Sequence, residues 1–261
     1  MGRTWRNRLL NGLPYSLLLL GLLVAAVSAA RLLVQQFQQG SSPGTATSPG
    51  HSTTGQTLER LQRRLRVLPD DQDAYVQLGN AYLQRGRETG DPSYYAKAEE
   101  AVKKALELDP GSPGAMSAMG ALALGRHQFR EAAEWARRAL EAGPVDASAS
   151  ATYGLLGDAQ VELGQYQEAI QSYQTMVALK PNLDSYARVS YIRELMGDPQ
   201  GAIKAMEMAV AAGSPRGEAT AWALVQLGNL QFNAGRLQEA ARSYEAALDA
   251  FPDYYLALAA L

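Results

Sequence analysis

The sequence predicts an all-α protein, a stack of helical hairpins behind one N-terminal transmembrane helix. Two observations predict it. Paired apolar segments at helical spacing recur along most of the 261 residues, and one long uncharged apolar run lies near the start. The clearest pair is 153–163 and 167–179. In it Leu156, Ala159 and Leu163, then Ala169, Ile170, Tyr173 and Val177, fall at the spacing that lines one face of a helix. Gly164 lies between the two segments, where a helix end favours a left-handed residue. Pro181 follows the second segment, where its ring and missing N–H stop a helix.

Taken in order, the chain opens with Arg3, Arg6 and Arg8, followed by 22 uncharged residues up to Arg31. As a helix rising ~1.5 Å per residue, that run spans about 33 Å, enough for a bilayer core. Trp5 and Tyr15 stand near one interface. Three arginines precede the run and one follows, so the positive-inside rule predicts a cytoplasmic N-terminus and an extracytoplasmic remainder. Residues 1–38 therefore read as a cytoplasmic tip and signal-anchor helix, with residues 9–30 in an inner or plasma membrane bilayer. The rival reading, a signal peptide cleaved near Ser28-Ala29-Ala30, exports the remainder too. Residues 39–56 are rich in Gly, Ser, Thr and Pro, which cannot build a packed core, and read as a flexible linker. A basic amphipathic helix over 57–68, with Leu58, Leu61, Leu65 and Leu68 on one face, is expected to cap the stack. Contact of its arginines with anionic lipid headgroups is the alternative.

The hairpins follow. Tyr153, Leu156, Gly157, Ala169, Tyr173 and Pro181 resemble the tetratricopeptide repeat, a helix–turn–helix of about 34 residues. Copies fall over about 72–112 (Tyr75, Leu78, Gly79, Ala98, Val102, Pro110), 113–146 (Met116, Gly120, Ala132, Ala136, Pro144), 150–183, 183–216 and 221–254 (Leu224, Leu227, Gly228, Ala240, Tyr244, Pro252). The fourth is degenerate, with Ser190 in place of the glycine and Pro215 one place late. Residues 254–261 start a sixth first helix. The resemblance implies a right-handed α-solenoid. In each hairpin a small residue on the first helix should face an alanine on the second and let the backbones approach. The pairs are Gly79 with Ala98, Gly120 with Ala132, Gly157 with Ala169, Ser190 with Ala202, and Gly228 with Ala240. One copy is longer. Gly86 and Ala98 are 12 residues apart where Gly164 and Ala169 are 5 apart. The surplus is close to two helical turns. Both helices of that hairpin should lengthen, with Asp91-Pro92 opening the second, and the hairpin should protrude and display Tyr94 and Tyr95.

The resemblance also implies where binding occurs. First helices of the family line a groove that receives peptide segments. Carried over, the groove positions include Asn80 and Gln84, Asp158 and Glu162, Ala187, Tyr191 and Glu194, then Asn229, Phe232 and Asn233. Asn80 and Asn229 share one repeat position. They are expected either to hydrogen-bond a peptide backbone or to satisfy local groups only. The Lys/Asn/Arg set that clamps a peptide carboxylate in chaperone-binding members is absent from the matching positions.

Composition narrows the function. The whole chain carries −2, and residues 1–56 hold four arginines and no acid, so 57–261 carry −6. An acidic folded part argues against a nucleic-acid partner. There is no cysteine, and His51 and His127 stand alone in sequence. No phosphate loop, dinucleotide fingerprint, zinc-protease or nucleophile-elbow motif is present. Trp135 and Trp222 read as packing residues. The expectation is a non-enzymatic scaffold without cofactor or metal that binds a protein or peptide. A narrower form is an assembly factor for envelope or c-type cytochrome biogenesis. The other class is the docking region of a longer enzyme continuing past residue 261.

Overall fold

The computed structural model describes residues 54–261; the anchor and the linker up to residue 53 lie outside the described residues. Among the described residues, twelve α-helices follow one another. They are α1 (Thr54–Val67), α2 (Gln72–Thr89), α3 (Ser93–Leu108), α4 (Pro113–Gly125), α5 (Phe129–Ala142), α6 (Ser150–Glu162), α7 (Tyr166–Leu179), α8 (Leu183–Leu195), α9 (Pro199–Ala212), α10 (Glu218–Asn233), α11 (Leu237–Ala250) and α12 (Tyr255–Ala260). Five hairpins, α2–α3 to α10–α11, match the five repeats read from the sequence, and each stacks on the next.

Local chemistry sets the boundaries. The helices α3, α5, α7 and α11 end two residues ahead of Pro110, Pro144, Pro181 and Pro252. The residue before each proline is extended, for example Lys180 at φ −152 and ψ 90, because proline clashes with a helical predecessor. Within the hairpins, Gly90, Gly164, Gly197 and Gly235 turn the chain at positive φ. His127 holds that position in the second hairpin at φ 59, where it carries the steric cost that glycine avoids.

The close approach inside each hairpin is as expected. Ala98, Ala132, Ala169 and Ala202 have no exposed surface and Ala240 only 1%. A Cβ on Gly79 would stand 2.4 Å from Val102, one on Gly157 2.4 Å from the Tyr173 ring, and one on Gly228 2.3 Å from the Tyr244 ring. In these three hairpins the residue four places after the alanine thus covers the glycine, whereas a Cβ on Gly120 would meet Leu155 of the next hairpin at 2.7 Å. In the degenerate fourth hairpin Ser190 turns the same proximity into a bond, its hydroxyl donating to the Ala202 carbonyl at 2.8 Å.

Three expectations are corrected. The capping helix starts at Thr54, inside the stretch read as linker, and ends at Val67, which leaves Leu68 exposed; Leu58 and Leu61 are buried against Leu78, Ala81 and Ala101 as a cap requires. In the long hairpin both helices lengthen as expected, with the chain turning at Gly90 and Gly86 buried within α2. Each of its helices thereby gains about one turn. Asp91 lies one place ahead of the cap at Pro92 and accepts the Ser93 N–H at 2.9 Å. Tyr94 and Tyr95 are half-buried rather than displayed. Tyr94 lies 6.1 Å from the Tyr82 ring, and Tyr95 lies against Gly125 of the next hairpin.

Candidate functional site

First helices of successive hairpins touch in the pairs α2–α4, α4–α6 and α8–α10, so these helices share one inner face. Helices α6 and α8 approach less closely. That interval is spanned by side chains. Arg188 of α8 donates through Nε to Asp158 Oδ1 and through Nη2 to Oδ2, each at 2.8 Å, a two-point fit of guanidinium and carboxylate. Its Nη1 donates to the Asp184 carbonyl at 3.2 Å. The Tyr173 hydroxyl of α7 donates to Asp158 Oδ1 at 2.9 Å. Burial opposes the charge on Arg188, but the adjacent carboxylate outweighs it and holds the guanidinium above its usual range. Burial, then the charge and hydrogen bond of Asp158, push the Tyr173 phenol well above the tyrosine range.

Beside this link a groove of about 390 Å³ runs between α8 and α10. Asp184, Ala187, Arg188, Tyr191 and Glu194 form one wall, and Trp222, Gln226 and Leu230, spaced four apart on α10, form the other. Met206 of α9 also lines it. Tyr191 is 45% and Trp222 38% exposed, so both rings present surface to an occupant. Burial and the nearby carboxylates of Glu162, Asp158 and Glu194 raise the Tyr191 phenol.

The groove residues predicted from sequence divide. Asp158, Ala187, Tyr191 and Glu194 line this groove. Asn80, Gln84, Glu162, Asn229, Phe232 and Asn233 do not. Asn229 accepts the Tyr244 hydroxyl at 3.0 Å, so for this asparagine the local structural role is the one observed. Asp158, one place after its glycine as Asn229 is, is likewise committed within the fold. Asn80 is exposed. Gln84 donates to Glu88 and accepts from Arg87 on its own helix. Phe232 is 58% exposed on α10, outside the groove lining. Trp222, read as a packing residue, is a wall of the groove. Arg188, Trp222 and Gln226 were missed. The available signal was the i, i+4, i+8 stripe on α10 and the opposite charges of Asp158 and Arg188 on consecutive first helices. Two buried bonds were also missed, Ser172 to Gln160 and Ser243 to Gln231, each at 2.7 Å and at the same repeat positions.

One tetratricopeptide-repeat model matches residues 117–184 and 155–219, and a second matches 221–254. Among solved structures, the chain is similar to the APC/C hetero-tetramer Cut9–Hcn1, with 15% identity and a TM-score of 0.64 over 79% of this chain and 38% of that one. It is similar to PilW, a widely conserved type IV pilus biogenesis factor, with 18% identity and a TM-score of 0.58 over 79% of this chain and 90% of that one. It is also similar to a thermophilic TPR protein of Thermus thermophilus, with 21% identity and a TM-score of 0.58 over 70% of this chain and 96% of that one. At these identities the likeness concerns the fold. No curated protein matches the chain. The repeat matches and the observed hairpins together make the chain a member of the tetratricopeptide-repeat proteins.

Proposed function

We propose that this protein is a membrane-anchored scaffold whose repeat domain lies outside the cytoplasm and binds a segment of another protein. The observation that carries the binding part is the groove between α8 and α10, with exposed Tyr191 and Trp222 over an apolar floor. A concave site of several hundred Å³ with convergent polar groups is the usual form of a recognition site. The anchor rests on the uncharged run between Arg8 and Arg31 and on the arginines ahead of it.

Topology is tested with a reporter that is active only in an oxidising compartment. Fused after residue 56 it should be active; fused before residue 8 it should be silent. The reverse pattern would refute the orientation. Binding is tested by photo-crosslinking from position 191 or 222 in intact cells. Capture from these positions but not from exposed sites on α5 is the expected outcome; equal capture from both faces would remove the groove from the reading.

A further inference from the structure

The groove between α8 and α10 has a charge as well as a shape. Its lining holds three carboxylates, Asp158, Asp184 and Glu194, against one cation, Arg188. Arg188 is already consumed by its two-point bond to Asp158, so the pair presents no net charge to an occupant. What remains facing the groove is Asp184 at the start of α8 and Glu194 at its last turn. From the Arg188–Asp158 link, Glu162 lies one turn on along the same face of α6 and Tyr191 one turn on along α8, so Glu162 sets a further carboxylate beside that ring although it is not itself a lining residue of the groove. Tyr191 is therefore an exposed aromatic ring with carboxylates on two helices around it, and Met206 and Leu230 offer apolar surface in the same groove. The combination matches one kind of side chain, a long aliphatic stem ending in a cation. The stem covers apolar lining, the cation lies against the ring face, and the carboxylates hold it.

Resting on the peptide-binding reading above, we propose that the groove selects a partner segment bearing a lysine or arginine, whose cation sits against Tyr191 between Glu162 and Glu194. An acidic or carboxylate-terminated segment is disfavoured by the same charges. The chemistry is opposite to recognition of a peptide carboxylate.

The test uses the full chain in a non-ionic detergent and a randomised library of N-acetylated, C-amidated octapeptides, whose capped ends carry no charge. Enriched peptides should share a lysine or arginine at one position. Replacing that residue by norleucine or citrulline, which keeps the stem and removes the charge, should weaken binding about fivefold to thirtyfold, the product of one aromatic–cation contact and two exposed ion pairs. In the Glu162→Gln, Glu194→Gln double variant the charged and neutral peptides should bind alike, with the melting temperature unchanged because both residues are exposed. If enriched peptides carry no basic residue, or the neutral analogues bind equally well to the native protein, the proposal falls while peptide binding stands. A charge preference that persists undiminished in the double variant also overturns it, since the cation then sits elsewhere. If no peptide of any composition is enriched, the peptide-groove reading fails and takes this proposal with it.

Discussion

The first hairpin, α2–α3, and the third and fifth, α6–α7 and α10–α11, share one steric frame and fill it differently. In all three a glycine on the first helix meets the second helix at the same place. In the first the covering residue is Val102, and the positions one turn further on are Tyr82 and Ala101, which face the capping helix. In the third and fifth it is Tyr173 or Tyr244, whose hydroxyl reaches back to Asp158 or Asn229, while Ser172 with Gln160 or Ser243 with Gln231 form a buried bond one turn on. The difference teaches that the glycine–alanine contact defines the hairpin, while the polar links answer to its neighbours. One repeat position can therefore be exposed in Asn80 and structural in Asp158 and Asn229.

The largest expected effect tests the shared frame. Ala98→Leu, Ala169→Leu and Ala240→Leu each force extra methylenes into a contact with no room, and each should lose roughly 1–3 kcal/mol. Urea unfolding monitored by circular dichroism measures the losses. Comparable values support a common frame; an unaffected variant would show that its hairpin closes in another way.

The next tests the difference. Asp158→Ala strips Arg188 and the Tyr173 hydroxyl of their partner and should cost about 1–3 kcal/mol, since groups left unpaired in partial burial lose more than the bond itself gave. Asn229→Ala removes a single neutral bond and should cost about 0.5–1.5 kcal/mol. Asn80→Ala should change the unfolding midpoint hardly at all. A flat series across the three would dissolve the distinction drawn between these hairpins.

This series also marks where reading the sequence stopped. Helix number, hairpin pairing and the close-approach alanines were legible because they follow from periodicity, proline and side-chain size, which are local. The start of α3 was not, because Asp91 can accept the Ser93 N–H from one place ahead of the cap at Pro92 as readily as an N-cap residue would. The site was half legible. Repeat position brought out Asp158, Tyr191 and Glu194, yet it also brought out Asn229, whose partner Tyr244 lies 15 residues away on the opposing helix. Trp222 looked like a packing residue because it stands at helical spacing with expected core positions; only the spacing between α8 and α10 leaves it open.

Alkaline pH separates the hairpins again. Tyr173 and Tyr244 are both raised, chiefly by burial, and hairpin one has a valine at that position. A phenol with a folded-state pKa above its unfolded value of about 10 favours the fold fully below that pH, and its contribution is lost as pH rises further. Stability should therefore fall with pH above about 10, and Tyr173→Phe should flatten that fall while leaving the slope below pH 9 untouched. An unchanged alkaline slope in the variant would mean that other tyrosines carry the effect.

The smallest effect concerns the second hairpin, which departs from the others at its turn. Gly164, Gly197 and Gly235 reach positive φ freely, whereas His127 does so at φ 59 with a Cβ in the way. Its ring recovers part of this by meeting Phe129 edge-on at 5.6 Å, and it is otherwise exposed. Replacing a side chain in the left-handed region by glycine removes the steric cost but widens the unfolded ensemble, so the two terms oppose each other. The left-handed penalty of about 1–2 kcal/mol is the larger. His127→Gly should accordingly stabilise the chain by roughly 0.5–1 kcal/mol, and His127→Ala, which keeps the Cβ and loses the ring contact, should destabilise it slightly. Opposite signs for these two variants in the same urea titration would tie the effect to the backbone. Equal signs would mean that the ring against Phe129, rather than the turn, decides what this position contributes.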